Sequence, residues 1–193
     1  MNEENDIHEK IHFTDLQKID ITDVELKGRI LDIGGGGEGI IGLLKGERVI
    51  AIDKQKRELE EAPSGEFLKI VMDAKDLKFL DESFDTVTIF FTIMYIPMDD
   101  RLKVFEEVYR VLKAGGELVI WDLIIPEKGE NSKDFYGAYF EIILGEETIS
   151  TGYATHWNKQ QDLEYFTDLG IKVGFKVLEK EETENRLYIR YNK

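Results

Sequence analysis

Residues 30–39 read Ile30-Leu31-Asp32-Ile33-Gly34-Gly35-Gly36-Gly37-Glu38-Gly39. Three apolar residues and one acid have the character of a short buried strand. Five glycines and a glutamate follow immediately. Glycine loses more backbone freedom on folding than any other residue, so it is a poor choice for a regular element. Its concentration here calls for a sharp turn whose N–H groups a ligand approaches closely. The rest of the chain reads as a site built around that turn.

Two ligand classes compete for the loop. Gly34, Gly36 and Gly39 fit G-x-G-x-x-G, the dinucleotide fingerprint. Asp53 lies 53 − 34 = 19 residues beyond the first glycine, at the end of Val49-Ile50-Ala51-Ile52-Asp53, where an acid suits ribose hydroxyls in either class. Asp32 separates the two. A pyrophosphate would meet this carboxylate at short range in a partly buried site, which is unfavourable. S-adenosylmethionine carries an ammonium and a sulfonium and no phosphate, so the same carboxylate attracts it.

The stretch Leu31–Gly39 resembles the first motif of the class I S-adenosylmethionine-dependent methyltransferases, an acid followed at alternate positions by glycines. Asp32, Gly34 and Gly36 match it, and Glu38 stands where a third glycine is common. Leu112-Lys113-Ala114-Gly115-Gly116 resembles the helix-to-strand turn of the same family, with alanine in place of the usual proline. The resemblance runs from about residue 29 to 193 and is strongest over 30–122.

The bulk properties fit this class. The chain has 193 residues, 42% of them apolar, enough for one domain with a substantial core. It contains no cysteine, which excludes disulfides, thiolate metal sites and a cysteine nucleophile. Its net charge is 25 − 40 = −15, which disfavours a nucleic-acid substrate. No apolar run is long enough to span a membrane, and residues 1–10 lack signal-peptide character, so the expected location is cytoplasmic. His8 and His12 would share a helix face, but two histidines near a polar end read as surface residues, and no metal is expected.

Along the chain, residues 2–9 are polar and expected to fray. Residues 11–19 have mixed periodicity and suggest a short helix at the edge of the core. A short helix over Ile40–Leu44 is expected to end at Gly46, and another runs from Lys54 to Glu61. Strands are expected at 49–52, 67–71, 84–91 and 117–121. Asp73 ends the second of these as Asp32 and Asp53 end theirs, and ligands of doubly wound sheets lie at such ends. Asp99 and Asp100 mark the start of a helix over 101–112. Residues 140–155 read as a β-hairpin turning at Gly145-Glu146-Glu147. A helix over 158–169 is expected to stop at Gly170, with strands at 172–179 and 186–191.

The expected fold is therefore α/β: a doubly wound, mostly parallel seven-stranded sheet, a C-terminal antiparallel hairpin and an inserted β-hairpin after strand five. It is read as a single domain over 1–193. Residues 1–28 form an N-terminal extension, 29–125 the cofactor-binding core, 126–157 an inserted cap and 158–193 the last helix and closing hairpin.

The resemblance also implies roles. Asp32 orients the ammonium of S-adenosylmethionine. Gly34 and Gly36 let the backbone pass close to it. Asp53 holds the ribose hydroxyls, Asp73 accepts from the adenine amino group, and the N–H of Ala74 faces the ring. Phe91 and Thr92 border the methionine part. On the acceptor side, Met94 and Tyr95 occupy places where many relatives carry histidine. Asp122, His156 and Tyr95 are the remaining candidates, and Tyr136, Tyr139 and Tyr153 lie near His156 in sequence. The expected reaction is methyl transfer to a small molecule, with a protein as the other acceptor class. Its rivals are a non-catalytic binder of S-adenosylmethionine or S-adenosylhomocysteine and a nicotinamide-dependent oxidoreductase. The hairpin either caps the pocket or joins a partner subunit in a homodimer.

Overall fold

A computed structural model describes residues 9–193. The first element, β1 (Ile11–Asp20), is a strand where the sequence suggested a helix. It pairs in parallel with β7 (Phe135–Leu144), with a register shift between Thr14 and Gln17. Three residues there span what two span on β7. This bulge moves the apolar residues from alternate positions to Phe13, Leu16 and Ile19, a spacing that mimics a helix.

The main sheet holds β2 (Ile30–Ile33), β3 (Val49–Asp53), β4 (Leu68–Val71), β5 (Phe84–Phe90), β6 (Leu112–Leu123), β9 (Lys176–Glu182) and β10 (Arg186–Asn192). Its strand order is β4-β3-β2-β5-β6-β10-β9. The first five are mutually parallel; β10 runs antiparallel to both β6 and β9. The five central strands of the order place the reversal of chain direction between β2 and β5, where α/β sheets bind ligands.

Two apolar cores lie on the two faces. Alternation along β6 divides them: Leu118 and Ile120 join one, Val119, Trp121 and Leu123 the other. The first is covered by α3 (Met98–Val111) and α4 (Leu163–Val173). The second carries α1 (Ile40–Lys45) and, in place of further helices, a three-stranded sheet of order β1-β7-β8, with β8 at Glu147–His156. The inserted hairpin is thus present and longer than expected, and it recruits the N-terminal strand.

Several boundaries differ. The short helix α2 covers Lys56–Glu61. Pro97 occupies the cap position of α3, so Asp99 and Asp100 fall in its first turn. Residues 113–116 continue into β6 instead of forming a separate turn. Helix α4 is capped by Asp162, whose side chain accepts from Tyr165 N at 2.8 Å, and it runs past Gly170 to Val173, with Gly174 as its C-terminal cap. Gly170 is needed because the Tyr191 ring lies against it and a β-carbon would run into the ring. Among the described residues no helix is long and apolar enough to cross a membrane.

Candidate functional site

A cavity of about 550 Å³ lies at the C-terminal edge of the main sheet, at the β2–β5 reversal. Asp32, Gly34, Gly36, Asp53, Asp73, Ala74, Phe91 and Thr92 all line it, as does Tyr95. The parallel register explains the convergence. Asp32 is level with Ala51 on β3 and Thr88 on β5, so residues just beyond these strands meet at one edge.

Asp32 is buried, and Thr88 Oγ1 donates to it at 2.7 Å. Burial pushes its carboxyl up to about 7, against the pull of that hydrogen bond. Asp53 is half-buried and raised for the same reason, while Gln55 N donates to its Oδ1 at 2.8 Å. Asp73 Oδ1 accepts from Lys75 N at 2.9 Å. Each of these two acids uses one oxygen to hold its own turn.

The glycines serve the protein's own packing as much as any ligand. Gly34 has φ +74°, and a β-carbon there would collide with Thr92. At Gly36 a β-carbon would lie 2.5 Å from Glu58 Cβ of α2. The loop amides are largely engaged: Gly34 N and Gly35 N donate to Ile52 O at 2.8 and 3.1 Å, and Gly37 N to Glu58 O at 2.9 Å. Few donors are left for a pyrophosphate.

Seven carboxylates line the cavity (Asp32, Glu38, Asp53, Glu58, Glu61, Asp73, Asp100) against Lys54 and Lys75. Lys75 is further paired with Asp100 at 2.8 Å. The field therefore favours a cation. The residues present fit S-adenosylmethionine: a buried carboxylate with no cationic partner among the described residues, and a half-buried acid, Asp53, and an exposed one, Asp73, at the strand ends.

Phe91 has φ +47°, rare for a bulky residue. Its N–H donates to Trp121 O at 2.8 Å, and its ring stacks on Tyr153 at 4.8 Å and contacts Phe140 at 4.5 Å. This strain is held by packing on both sides. Of the aromatic group the sequence set near His156, Tyr153 lines the cavity from β8; sequence reasoning missed its neighbour Gly152 and the part played by Glu38. Glu38 accepts from the hydroxyls of Thr151 and Tyr153, the latter at 3.3 Å, so the hairpin is tied to the glycine loop. The signal available in sequence was the glutamate at a customary glycine position.

The other acceptor-side candidates lie elsewhere. Asp122 is buried outside the cavity lining, and its oxygens accept from Leu123 N (2.8 Å), Gln161 Nε2 (3.0 Å) and Met94 N (3.3 Å). Burial raises its carboxyl to about 6. It accepts from the Met94 amide and so braces that turn. His156 is exposed on the hairpin, its ring 4.3 Å from that of Phe135. Tyr136 packs with His12 and Trp157, and Tyr139 with Phe13. His8 lies outside the described residues, so the His8/His12 pair is not seen together.

The sheet order and the site at its reversal define the class I methyltransferase fold. Residues 31–120, a little under half of the chain, match the model of the methyltransferase domain family. Over those residues the chain is similar to that domain family. It is 36% identical over 124 residues to a demethylmenaquinone methyltransferase of Thermotoga maritima, covering 60% of this chain and 51% of the relative. The chain thus spans about half the length of the curated relatives it matches. Among solved structures, an S-adenosylmethionine-dependent methyltransferase of Methanosarcina mazei aligns with TM-score 0.64 and 20% identity, covering 88% of this chain and 94% of that one. One from Mesorhizobium loti aligns with TM-score 0.62 and 16% identity, covering 86% and 90%. These two establish the fold alone.

Proposed function

We propose that this protein transfers a methyl group from S-adenosylmethionine to a small, flat acceptor. The observation that carries this reading is Asp32: a buried, uncompensated carboxylate in an acid-lined cleft whose loop amides are already bonded. Asp32 holds the ammonium, Asp53 the ribose hydroxyls and Asp73 the adenine amino group, with Ala74 N–H against the ring. Gly34 and Gly36 shape the cradle, and Phe91 and Thr92 border the methionine part.

When bound, the sulfonium supplies an activated methyl carbon: its S–C bond breaks as the acceptor's lone pair forms the new bond. The chain's task is then alignment and exclusion of water. Phe90, Phe91, Tyr95 and Tyr153 supply aromatic walls for a flat acceptor. The relatives are named for demethylmenaquinone, and a quinone-type ring suits these walls.

Thermal shifts with S-adenosylhomocysteine, S-adenosylmethionine, NADH and NADPH test the donor. A ligand at about a hundred times its dissociation constant adds roughly 2.7 kcal/mol. We expect shifts with the adenosyl sulfur ligands only; shifts with nicotinamides alone would overturn the reading. Label transfer from S-adenosylmethionine to hydroxylated aromatics and quinols then tests turnover. Binding without turnover would select the non-catalytic rival, which the engagement of Asp122 and the absence of His156 from the cavity lining favour.

A further inference from the structure

Beside the cleft lies a polar cluster that the donor roles leave unused. Arg101, in the first turn of α3, is fully buried. Its Nε donates to Ile96 O at 3.0 Å, and its guanidinium lies over the Tyr165 ring, 5.5 Å from the centroid. Nη1 and Nη2 have no hydrogen-bond partner among the described residues. Asp122 is within electrostatic reach of Arg101 but bonds neither nitrogen.

Gln161 is also fully buried. Its Nε2 donates to Asp122 Oδ1 at 3.0 Å and to Leu123 O at 2.7 Å, leaving Oε1 unpartnered. Turning the amide over would set Oε1 against those two acceptors, so its orientation is fixed. Lys159, partly buried, completes the group. Burial and the Arg101 charge lower its ammonium, against the pull of Asp122.

Two cations and one carboxylate leave one positive charge in a water-poor place. Buried donors are normally satisfied, and a guanidinium with two free Nη groups matches a planar or single anionic oxygen site. The cluster adjoins the cleft: Tyr95, Ile96, Pro97 and Asp100 line the cleft on its Arg101 side, and the Tyr95 phenol is raised partly by the Asp122 charge.

We propose that Arg101 and Lys159 bind an anionic oxygen carried on the acceptor ring, a carboxylate or a phenolate, while Gln161 Oε1 accepts from a donor beside it. This rests on the methyl-transfer reading for the identity of the ligand as acceptor. Tyr95 is exposed and Lys159 partly so, whereas Arg101 is fully buried.

The test is thermal shift at constant ionic strength on protein saturated with S-adenosylhomocysteine. The probes are benzoate, para-nitrophenolate and neutral benzamide. We expect benzoate or para-nitrophenolate to add a shift and benzamide to add none; the active probe tells carboxylate from phenolate. In Arg101→Met the apparent affinity falls at least about tenfold while the S-adenosylhomocysteine shift is unchanged. Lys159→Met, on a partly exposed side chain, is expected to fall in the same direction and serves if Arg101→Met does not fold. No shift with either anion, or equal shifts in the variants, overturns the proposal. Absence of the S-adenosylhomocysteine shift defeats the donor reading instead, and the anion arms run without it still decide this one.

Discussion

Burial of the Asp32 carboxylate costs stability, and on the proposed reading that cost serves binding. An aspartate in an unfolded chain titrates near 3.9. In the fold, burial moves Asp32 to about 7. Between those values the folded chain keeps a proton that the unfolded chain has lost. Stability from this group is therefore full below about pH 4 and is lost as pH rises through 7, a change of about 4 kcal/mol. Asp32→Asn, which can still accept from Thr88, should remove this dependence. Urea unfolding should find the ligand-free variant more stable than wild type at pH 8 by up to a few kcal/mol, with the gap closing at pH 5. A constant gap would refute the assignment. Below pH 7 the wild-type affinity for S-adenosylhomocysteine should fall as pH falls, by up to about tenfold per pH unit, because Asp32 takes up a proton, and that slope should vanish in the variant. Asp53→Ala should weaken the same ligand about a hundredfold with little change in unliganded stability, since one oxygen holds only a local turn. Equal affinity would sink the ribose role. These acids were legible in the sequence because each stands at or near the end of an apolar strand. Tyr153 was named only as an aromatic near His156, and its bond to Glu38 was not legible, because it joins positions 115 apart.

At the scale of elements, β1 and α4 depart most from their sequence signals. The bulge between Thr14 and Gln17 disguised a strand, and the strand's bonding partner, β7, begins at Phe135. Gly170 read as a helix stop, yet it lies inside α4 because Tyr191 of β10 occupies the space of its missing side chain. The Tyr191 hydroxyl also donates to Phe166 O at 2.6 Å, fixing the ring. A glycine-to-alanine change in a helix interior ordinarily gains about 0.5–1 kcal/mol. Gly170→Ala should instead cost about 1–3 kcal/mol through overpacking, measured by denaturant midpoint. A gain in stability would show that Tyr191 does not hold this position.

The whole molecule joins two sheets through one aromatic contact zone. Phe140, fully buried on β7, meets Phe91 at 4.5 Å and Tyr153 at 5.8 Å between ring centroids. The small sheet is therefore packed against the residue that borders the cleft. Phe140→Ala should cost about 3–5 kcal/mol and also weaken S-adenosylhomocysteine binding. Unfolding should remain one transition, with hydrogen exchange speeding up in both sheets together. Two separated transitions would mean that β1, β7 and β8 fold on their own.

By itself the sequence determined the parallel core, the turn after β2 and the strand-end acids. These depend on local patterns: apolar runs, glycine punctuation and an acid at fixed spacing, all within a few dozen residues. Tertiary structure alone decided that β1 joins the hairpin, that Glu38 ties that hairpin to the glycine loop, and that Asp122 and His156 are not in the cavity lining. It also gathered Arg101, Lys159 and Gln161 into one buried cluster. Such facts depend on which distant surfaces exclude water together, and burial, not sequence spacing, sets the charge and hydrogen-bond needs of the groups enclosed.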